Sequence, residues 1–455
     1  MNVSVVGLGK LGAPLVAVLA SKGLSVYGID VNPDAVAHIN AGLAPVQEPQ
    51  LQELLHANSG RIRATSDWAT AIGETEATYI IVPTPSGADG AFRNDYVLSA
   101  IEEIGRVLAH KPGYHLVVVN STTMPGAVGG PIRDRLEAIS GKRVGHDIGL
   151  CYNPEFIALG NVIEGLLRPD FVLIGESDAR AGGMLEEICR RIVGPSVPVC
   201  RMNFVNAELT KISVNTYVTT KISFANMLGE ICDRLPGADA DVVTAAIGRD
   251  ARIGAKYLRG ATGYGGPCFP RDTIAFSTMA QRVGVEASLA AATHEINERQ
   301  VERLTGIVAE HTGPGDRIAV LGLSYKPDTG VIERSQGIML AAALARSGRE
   351  VVAHDPLAIE AARAALGAGV SLAASPQEAV EMADAVIVMV PWPEYKEFFA
   401  SWPGDERPRL IIDCWRVLAA GSGPPSLRVM HPGNNESLAA APGAAPNAAV
   451  VNAAD

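Results

Sequence analysis

NVSVVGLGKLGAPLVAVLASKGLSVYGID, residues 2–30, decides the reading of this chain. The β-branched run NVSVV reads as a buried strand. It leads straight into Gly7-Leu8-Gly9-Lys10-Leu11-Gly12 and an apolar helix. In this order Gly7 permits a tight turn, Gly9 lets backbone approach a pyrophosphate, and Gly12 lets helix and strand pack closely. The helix N-terminus then faces phosphate. The second strand, LSVYGID, ends in Asp30, where a carboxylate accepts bonds from ribose hydroxyls and repels a 2′-phosphate. The segment is therefore expected to bind NAD rather than NADP. It is apolar enough to suggest a signal peptide, but it lacks a basic leader and is interrupted by Gly7, Gly9, Gly12 and Pro14.

Outward from this segment, short β-branched runs alternate with Ala/Leu-rich stretches over the first 200 residues: Val3 to Val6, Ser25 to Ile29, Tyr79 to Val82, Leu116 to Asn120 and Phe171 to Ile174. That rhythm predicts a parallel sheet with helices on both faces. From Asn203 to Asp233 it gives way to one long stretch without proline and without glycine until Gly229. A helix of several turns is expected, apolar on more than one side, packing on flanking domains or on a second subunit. Strands resume at Ile318 to Leu321, Glu350 to His354, Ala385 to Val390 and Leu410 to Asp413. The expected fold is α/β, two Rossmann-like doubly wound parallel-sheet domains joined by a long central helix. The expected domains are 1–202 for NAD, 203–300 helical, and 301–437 a second α/β domain. An Ala-rich tail, 438–455, is expected to be disordered. The two α/β halves are expected to share only an architecture.

Composition narrows the function further. The 455 residues hold 38 Lys and Arg against 49 Asp and Glu, a net charge of −11 with no long basic run, which argues against nucleic-acid binding. No uninterrupted apolar run is long enough to span a bilayer. The six cysteines form no CxxC pair, so neither a disulfide scaffold nor a metal site is expected, and the cytoplasm is the default compartment.

Cys268 lies in Gly263-Tyr264-Gly265-Gly266-Pro267-Cys268-Phe269-Pro270-Arg271-Asp272. The glycines leave backbone free to approach a substrate, and Arg271 and Asp272 set charge beside the thiol. This suits a nucleophilic thiolate, although spacing alone fits an inert buried cysteine as well. Lys211 and Asn215 stand one helical turn apart and share a face, able to donate to one developing oxyanion, although a lone pair of this kind is more often a solvated face.

Six ordered motifs turn these readings one way. They are the glycine fingerprint, Ser121-Thr122-Thr123-Met124-Pro125-Gly126, Asn153-Pro154-Glu155-Phe156, Lys211 with Asn215, the segment from Arg252 through Tyr257, and GYGGPCFPRD around Cys268. Together they resemble the UDP-glucose/GDP-mannose dehydrogenase family, over nearly everything before the tail. The resemblance implies oxidation of a sugar C6 alcohol to a carboxylate with NAD. A water or carboxylate near Thr122 and Asp272 takes the hydroxyl proton while Lys211 and Asn215 steady the alkoxide. Cys268 captures the aldehyde and forms a thioester, which water assisted by Glu155 opens. Cofactor contacts are expected from Gly7, Leu8, Gly9, Lys10, Leu11, Gly12, Asp30, Thr84, Thr122 and Arg334. Substrate contacts are expected from Glu155, Phe156, Lys211, Asn215, Arg252 of a neighbouring subunit, Tyr257, Arg259, Gly265, Tyr325, Lys326 and Arg416. No metal is implied, and the partners are a nucleotide sugar and a second copy of the chain. Glu48 matches the family and also suits the N-terminus of the helix that follows it.

Two departures stand out. Members acting on UDP-glucose commonly carry a second glutamate four residues after the NPEF glutamate, where this chain has Leu159. Either thioester opening relies on Glu155 alone or the substrate differs. The family's Arg-Glu-Ser reads Glu333-Arg334-Ser335, so the cofactor-contacting arginine is displaced by one position.

Overall fold

The computed structural model describes residues 1–404, 407–418 and 427–436; the expected disordered tail lies outside them. The chain forms two compact units, Met1–Val214 and the residues from Asn215 on. They divide inside one helix, Phe204–Arg234.

The first unit is built on eight strands: β1 (Asn2–Val6), β2 (Ser25–Ile29), β3 (Ile62–Thr65), β4 (Ala77–Ile80), β5 (His115–Val119), β6 (Ile148–Tyr152), β7 (Val172–Glu176) and β8 (Val199–Met202). Their order is β3-β2-β1-β4-β5-β6-β7-β8, with apolar clusters on both faces. The sheet is parallel except between β6 and β7, a departure from the all-parallel expectation. The connection there contains only the six-residue helix Val162–Leu167. At 1.5 Å per residue it rises about 9 Å, less than the roughly 16 Å of a five-residue strand. The chain re-enters the sheet from the end at which β6 left it. Of these strands β3, β6 and β8 gave no clear signal. Their sequences, IRAT, IGLCY and VCRM, mix charge, glycine and cysteine into short runs.

The second unit carries helices Ala240–Ile247, Phe269–Arg282 and Ser288–His311, then six strands: β9 (Ile318–Leu321), β10 (Val351–His354), β11 (Ser371–Leu372), β12 (Ala385–Val388), β13 (Arg409–Asp413) and β14 (Leu427–Met430). All pairs are parallel, in the order β11-β10-β9-β12-β13-β14.

The long helix differs from its expected character. Thirty-one residues at 1.5 Å each make a rod about 46 Å long. Its buried face is largely polar, with Glu208, Lys211, Asn215, Thr216, Thr219, Ser223 and Asn226 repeating at helical spacing. The exposed side carries the large apolar residues Val205, Leu209, Tyr217, Phe224, Met227 and Ile231. A helix this mixed has no single apolar stripe, so the sequence pattern reads only as apolar on several sides. Among the described residues, no helix is long and apolar enough to cross a membrane.

Candidate active site

In the first unit the glycine fingerprint has the geometry that a dinucleotide requires. Gly7, at φ +95°, leaves the end of β1, and its N–H donates to the Ile29 carbonyl at 2.8 Å. A Cβ there would lie 2.1 Å from the Ile81 carbonyl oxygen, and one on Gly12 would lie 1.8 Å from that of Gly7. Both positions therefore admit only glycine. Gly9 faces open space, with nothing within 4 Å of its would-be Cβ. Gly9 and Lys10 are exposed, Leu8 is buried, and helix Gly12–Ser21 starts after Leu11 without a side-chain cap. Asp30 accepts from the Leu8 N–H at 2.6 Å and the Asn32 N–H at 2.8 Å. Each carboxylate oxygen thus has one of these backbone partners and a further lone pair for a ribose hydroxyl. These residues fit NAD.

Three loops at the carboxyl ends of β4, β5 and β6 are tied together beside the fingerprint. The Ser121 hydroxyl donates to the Val82 carbonyl at 2.7 Å and accepts from its N–H at 2.9 Å, joining the loop of Thr122 to that of Thr84. Thr122 is half-buried and Thr84 buried. The Asn120 amide donates to the Asn153 carbonyl at 2.6 Å and to the Glu155 carboxylate at 3.2 Å. The Lys211 ammonium, itself buried, donates to the Glu155 carbonyl at 2.6 Å and sits 4.7 Å from the centre of the Phe156 ring. Glu155 as a residue keeps some exposure, but its carboxyl is packed among protein atoms. Burial pushes that carboxyl up to about 7, against the opposing pull of the Lys211 ammonium and the Asn120 amide. Leu159 packs on the apolar core under helix Gly12–Ser21, leaving Glu155 as the only carboxylate between Asn153 and Gly160.

Glu48 does not cap the helix that follows it. Its carboxylate accepts from the N–H groups of Gly160 at 2.9 Å and Val162 at 2.7 Å, and so caps helix Val162–Leu167 over a hundred residues later. No local pattern signals that partner.

In the second unit the Asn215 amide donates to the Asp272 carboxylate at 2.6 Å, and Arg271 reaches the other Asp272 oxygen at 3.2 Å. Asp272 is fully buried. Cys268 is exposed at the start of helix Phe269–Arg282, where a thiolate meets the positive end of the helix dipole. The nearby glycines have a packing reason that the sequence did not show. A Cβ on Gly265 would lie 2.4 Å from the Arg334 carbonyl oxygen, and one on Gly266 would lie 2.6 Å from the Tyr325 ring. The Gly266 N–H also donates to the Glu333 carbonyl at 2.9 Å. Protein backbone and the Tyr325 ring approach these glycines, locking the cysteine loop to the loop that carries Tyr325, Lys326 and Arg334.

Three of the cations expected at the substrate, Arg252, Arg259 and Arg416, are held by protein groups. Arg252 is exposed and pairs with Asp250 at 2.6 Å, and Arg259 donates to the Trp415 carbonyl at 2.6 Å. Arg416 is largely buried against Asp241 at 2.8 Å, and Arg334, expected at the cofactor, takes φ +51° and pairs with Glu298 at 2.7 Å. Tyr257 is exposed at φ +62°. Sequence reasoning missed Asn120 and Glu208. For Glu208 a signal existed, since it stands one turn before Lys211 on the same helix.

A fingerprint that fits a dinucleotide and a second α/β unit bearing an exposed cysteine define an NAD-dependent dehydrogenase built on two Rossmann-like domains. The chain belongs to the UDP-glucose/GDP-mannose dehydrogenase family. The family's NAD binding domain matches residues 1–193, its central domain 205–299 and its UDP binding domain 319–420. The chain is 37% identical over 431 residues to the UDP-glucose 6-dehydrogenase AglM of Haloferax volcanii, covering 93% of this chain and 98% of that one. The GDP-mannose 6-dehydrogenase of Pseudomonas savastanoi pv. phaseolicola is 34% identical, covering 78% of this chain and 81% of that relative. The structure of a UDP-glucose dehydrogenase from Pyrobaculum islandicum superposes with a TM-score of 0.85 at 33% identity, covering 94% of this chain and 96% of that one.

Proposed function

We propose that the protein oxidises the C6 alcohol of UDP-glucose to the carboxylate of UDP-glucuronate in two successive steps. The observation that carries this reading is one turn of the long helix. Lys211 is bonded to the backbone of Glu155, whose carboxyl sits near 7, and Asn215 is bonded to Asp272 at the helix start that bears Cys268. Gly7 through Gly12 and Asp30 hold NAD, with Thr84 and Thr122 on the neighbouring loops. When bound, NAD accepts one hydride from C6 in each oxidation.

The protein's own groups do the rest. In the first oxidation a water or carboxylate near Thr122 and Asp272 takes the hydroxyl proton, and Lys211 with Asn215 donates to the alkoxide oxygen. The Cys268 sulfur then bonds to the aldehyde carbon, because an aldehyde needs a tetrahedral adduct before it can release a second hydride. Loss of that hydride leaves a thioester. Glu155 as carboxylate takes a proton from the attacking water, the carbon–sulfur bond breaks, and the Cys268 thiol is restored. One water enters and two hydrides leave per sugar. Leu159 leaves that last step to Glu155, and it is also what favours the second reading, the same chemistry on another nucleotide sugar.

We assign residues 1–202, 203–300 and 301–437 to cofactor binding, dimerisation and nucleotide-sugar binding. The exposed apolar side of the long helix supports a homodimer, since a lone chain would leave Tyr217, Phe224, Met227 and Ile231 in water. Arg252, exposed and paired with Asp250 two residues away, suits a neighbouring subunit's diphosphate, while Arg259, Lys326 and Arg416 supply charge from the same chain. The enzyme is assigned to the cytoplasm. The test is the yield of NADH from limiting UDP-glucose. Two per sugar supports the full route, and one overturns the second oxidation.

A further inference from the structure

The loop Ser121–Val128 carries Thr122 but has little regular backbone pairing of its own. It contains Pro125 and Gly126, the latter at φ +92°, and runs into an irregular turn, Val128–Ile132, where Gly130 is non-helical at φ −112°, ψ −110°. Three of its donors are met by one fully buried side chain from the long helix. The Glu208 carboxylate accepts from the Gly126 N–H at 2.7 Å, the Val128 N–H at 2.8 Å and the Thr123 hydroxyl at 3.0 Å.

Glu208 lies one turn before Lys211. Within a single turn, Glu208 grips the loop after β5 and Lys211 grips the loop after β6 through the Glu155 carbonyl. We propose that Glu208 is a positioning residue for the first oxidation, setting Thr122 at a fixed height relative to Lys211. This rests on the role assigned above to Thr122. A buried carboxylate could serve as a helix cap alone, because Val128 begins the turn that leads into helix Arg133–Ser140. The position of Thr123, whose hydroxyl binds Glu208 and whose chain neighbour is the half-buried Thr122, ties the cap to the chemistry.

A double-mutant cycle separates the two roles. Glu208→Gln keeps one acceptor but turns an NH2 group toward a backbone N–H. It is expected to lower kcat about tenfold or more, with the KM for UDP-glucose changing less than about threefold, the pattern of a misplaced group rather than a lost binding contact. In a Thr122→Ala background the same change is expected to lower kcat less than about twofold, because the group it positions is already gone. Equal losses in both backgrounds, or a lower unfolding midpoint with unchanged kcat, overturn the inference. A Thr122→Ala enzyme at wild-type rate overturns the role of Thr122, and the positioning role with it. If Glu208→Gln does not fold, Thr123→Val removes one of the three bonds; a smaller fall in kcat, absent when Thr122 is alanine, supports the proposal, and an unchanged kcat contradicts it.

Discussion

The two Rossmann-like halves repeat the same backbone solution and put it to opposite use. Gly7 after β1 and Gly322 after β9 both take positive φ, +95° and +104°, and each donates at 2.8 Å to the last residue of the neighbouring strand. Gly12 and Gly337 both bring a helix so close that a Cβ would lie 1.8 and 2.0 Å from those glycines' carbonyl oxygens. Asp30 and Asp355 both follow the second strand and accept from the N–H of the leucine after the glycine, Leu8 at 2.6 Å and Leu323 at 2.8 Å. The halves thus share more than an architecture. They differ in what remains unused. Asp30 is half-exposed with two backbone donors. Asp355 is buried under six, from Leu323, Ser324 (N–H and hydroxyl), Leu357, Ala358 and Trp392. The first helix has no side-chain cap, whereas Ser335 caps the second. Four residues separate the paired glycines in the first half and fourteen in the second, and the longer loop carries Tyr325, Lys326 and Arg334. A dinucleotide needs a free acid and an open helix start, which only the first half keeps.

This contrast breaks most visibly at Asp355. Asp355→Ala strands buried donors and is expected to cost roughly 3 kcal/mol or more, read as a lower urea midpoint for the second unit. Asp30→Ala is expected to cost only about 1 kcal/mol of stability while raising the Kd for NAD by about 10- to 100-fold, the worth of hydrogen bonds to a charged acceptor. Equal stability losses at the two sites would erase the distinction. The Glu155 carboxyl is pushed up to about 7 by burial. Since only its ionised form takes a proton from water, thioester opening is expected to rise about tenfold between pH 6 and 8 and to become flat and slow in Glu155→Gln, as single-turnover acid release at stepped pH would show. The stability sign is opposite. The folded state holds this proton above its ordinary range, so its contribution to stability falls as pH rises from about 4.5 to 7. The smallest effect is expected from Gly9→Ala. Its methyl enters open space, so folding is expected to stay within about 0.5 kcal/mol of wild type while NAD binding weakens severalfold, measurable by fluorescence titration.

How much of this was legible follows from locality. Gly7, Gly9, Gly12 and Asp30 fall within one strand-helix-strand unit, so spacing revealed both fold and cofactor. Lys211 and Asn215 were legible as one helical face. Asn120 was not, nor were the partners of Glu48 and Glu208, because those partners lie tens of residues away and several of them accept or donate through backbone, which carries no sequence signature. The glycines before Cys268 were read as room for a substrate, whereas the packing of Tyr325 and Arg334 against them is a long-range contact with no local signal. The polar buried face of the long helix was hidden by the apolar residues on its exposed side.

The most direct test of the account is the number of NAD molecules bound per chain, measured by calorimetry on the wild type, Asp30→Ala and Asp355→Ala. The account predicts one per chain, weakened by Asp30→Ala and retained by whatever fraction of Asp355→Ala folds. Two per chain, or a single site that survives Asp30→Ala and disappears with Asp355→Ala, would contradict it.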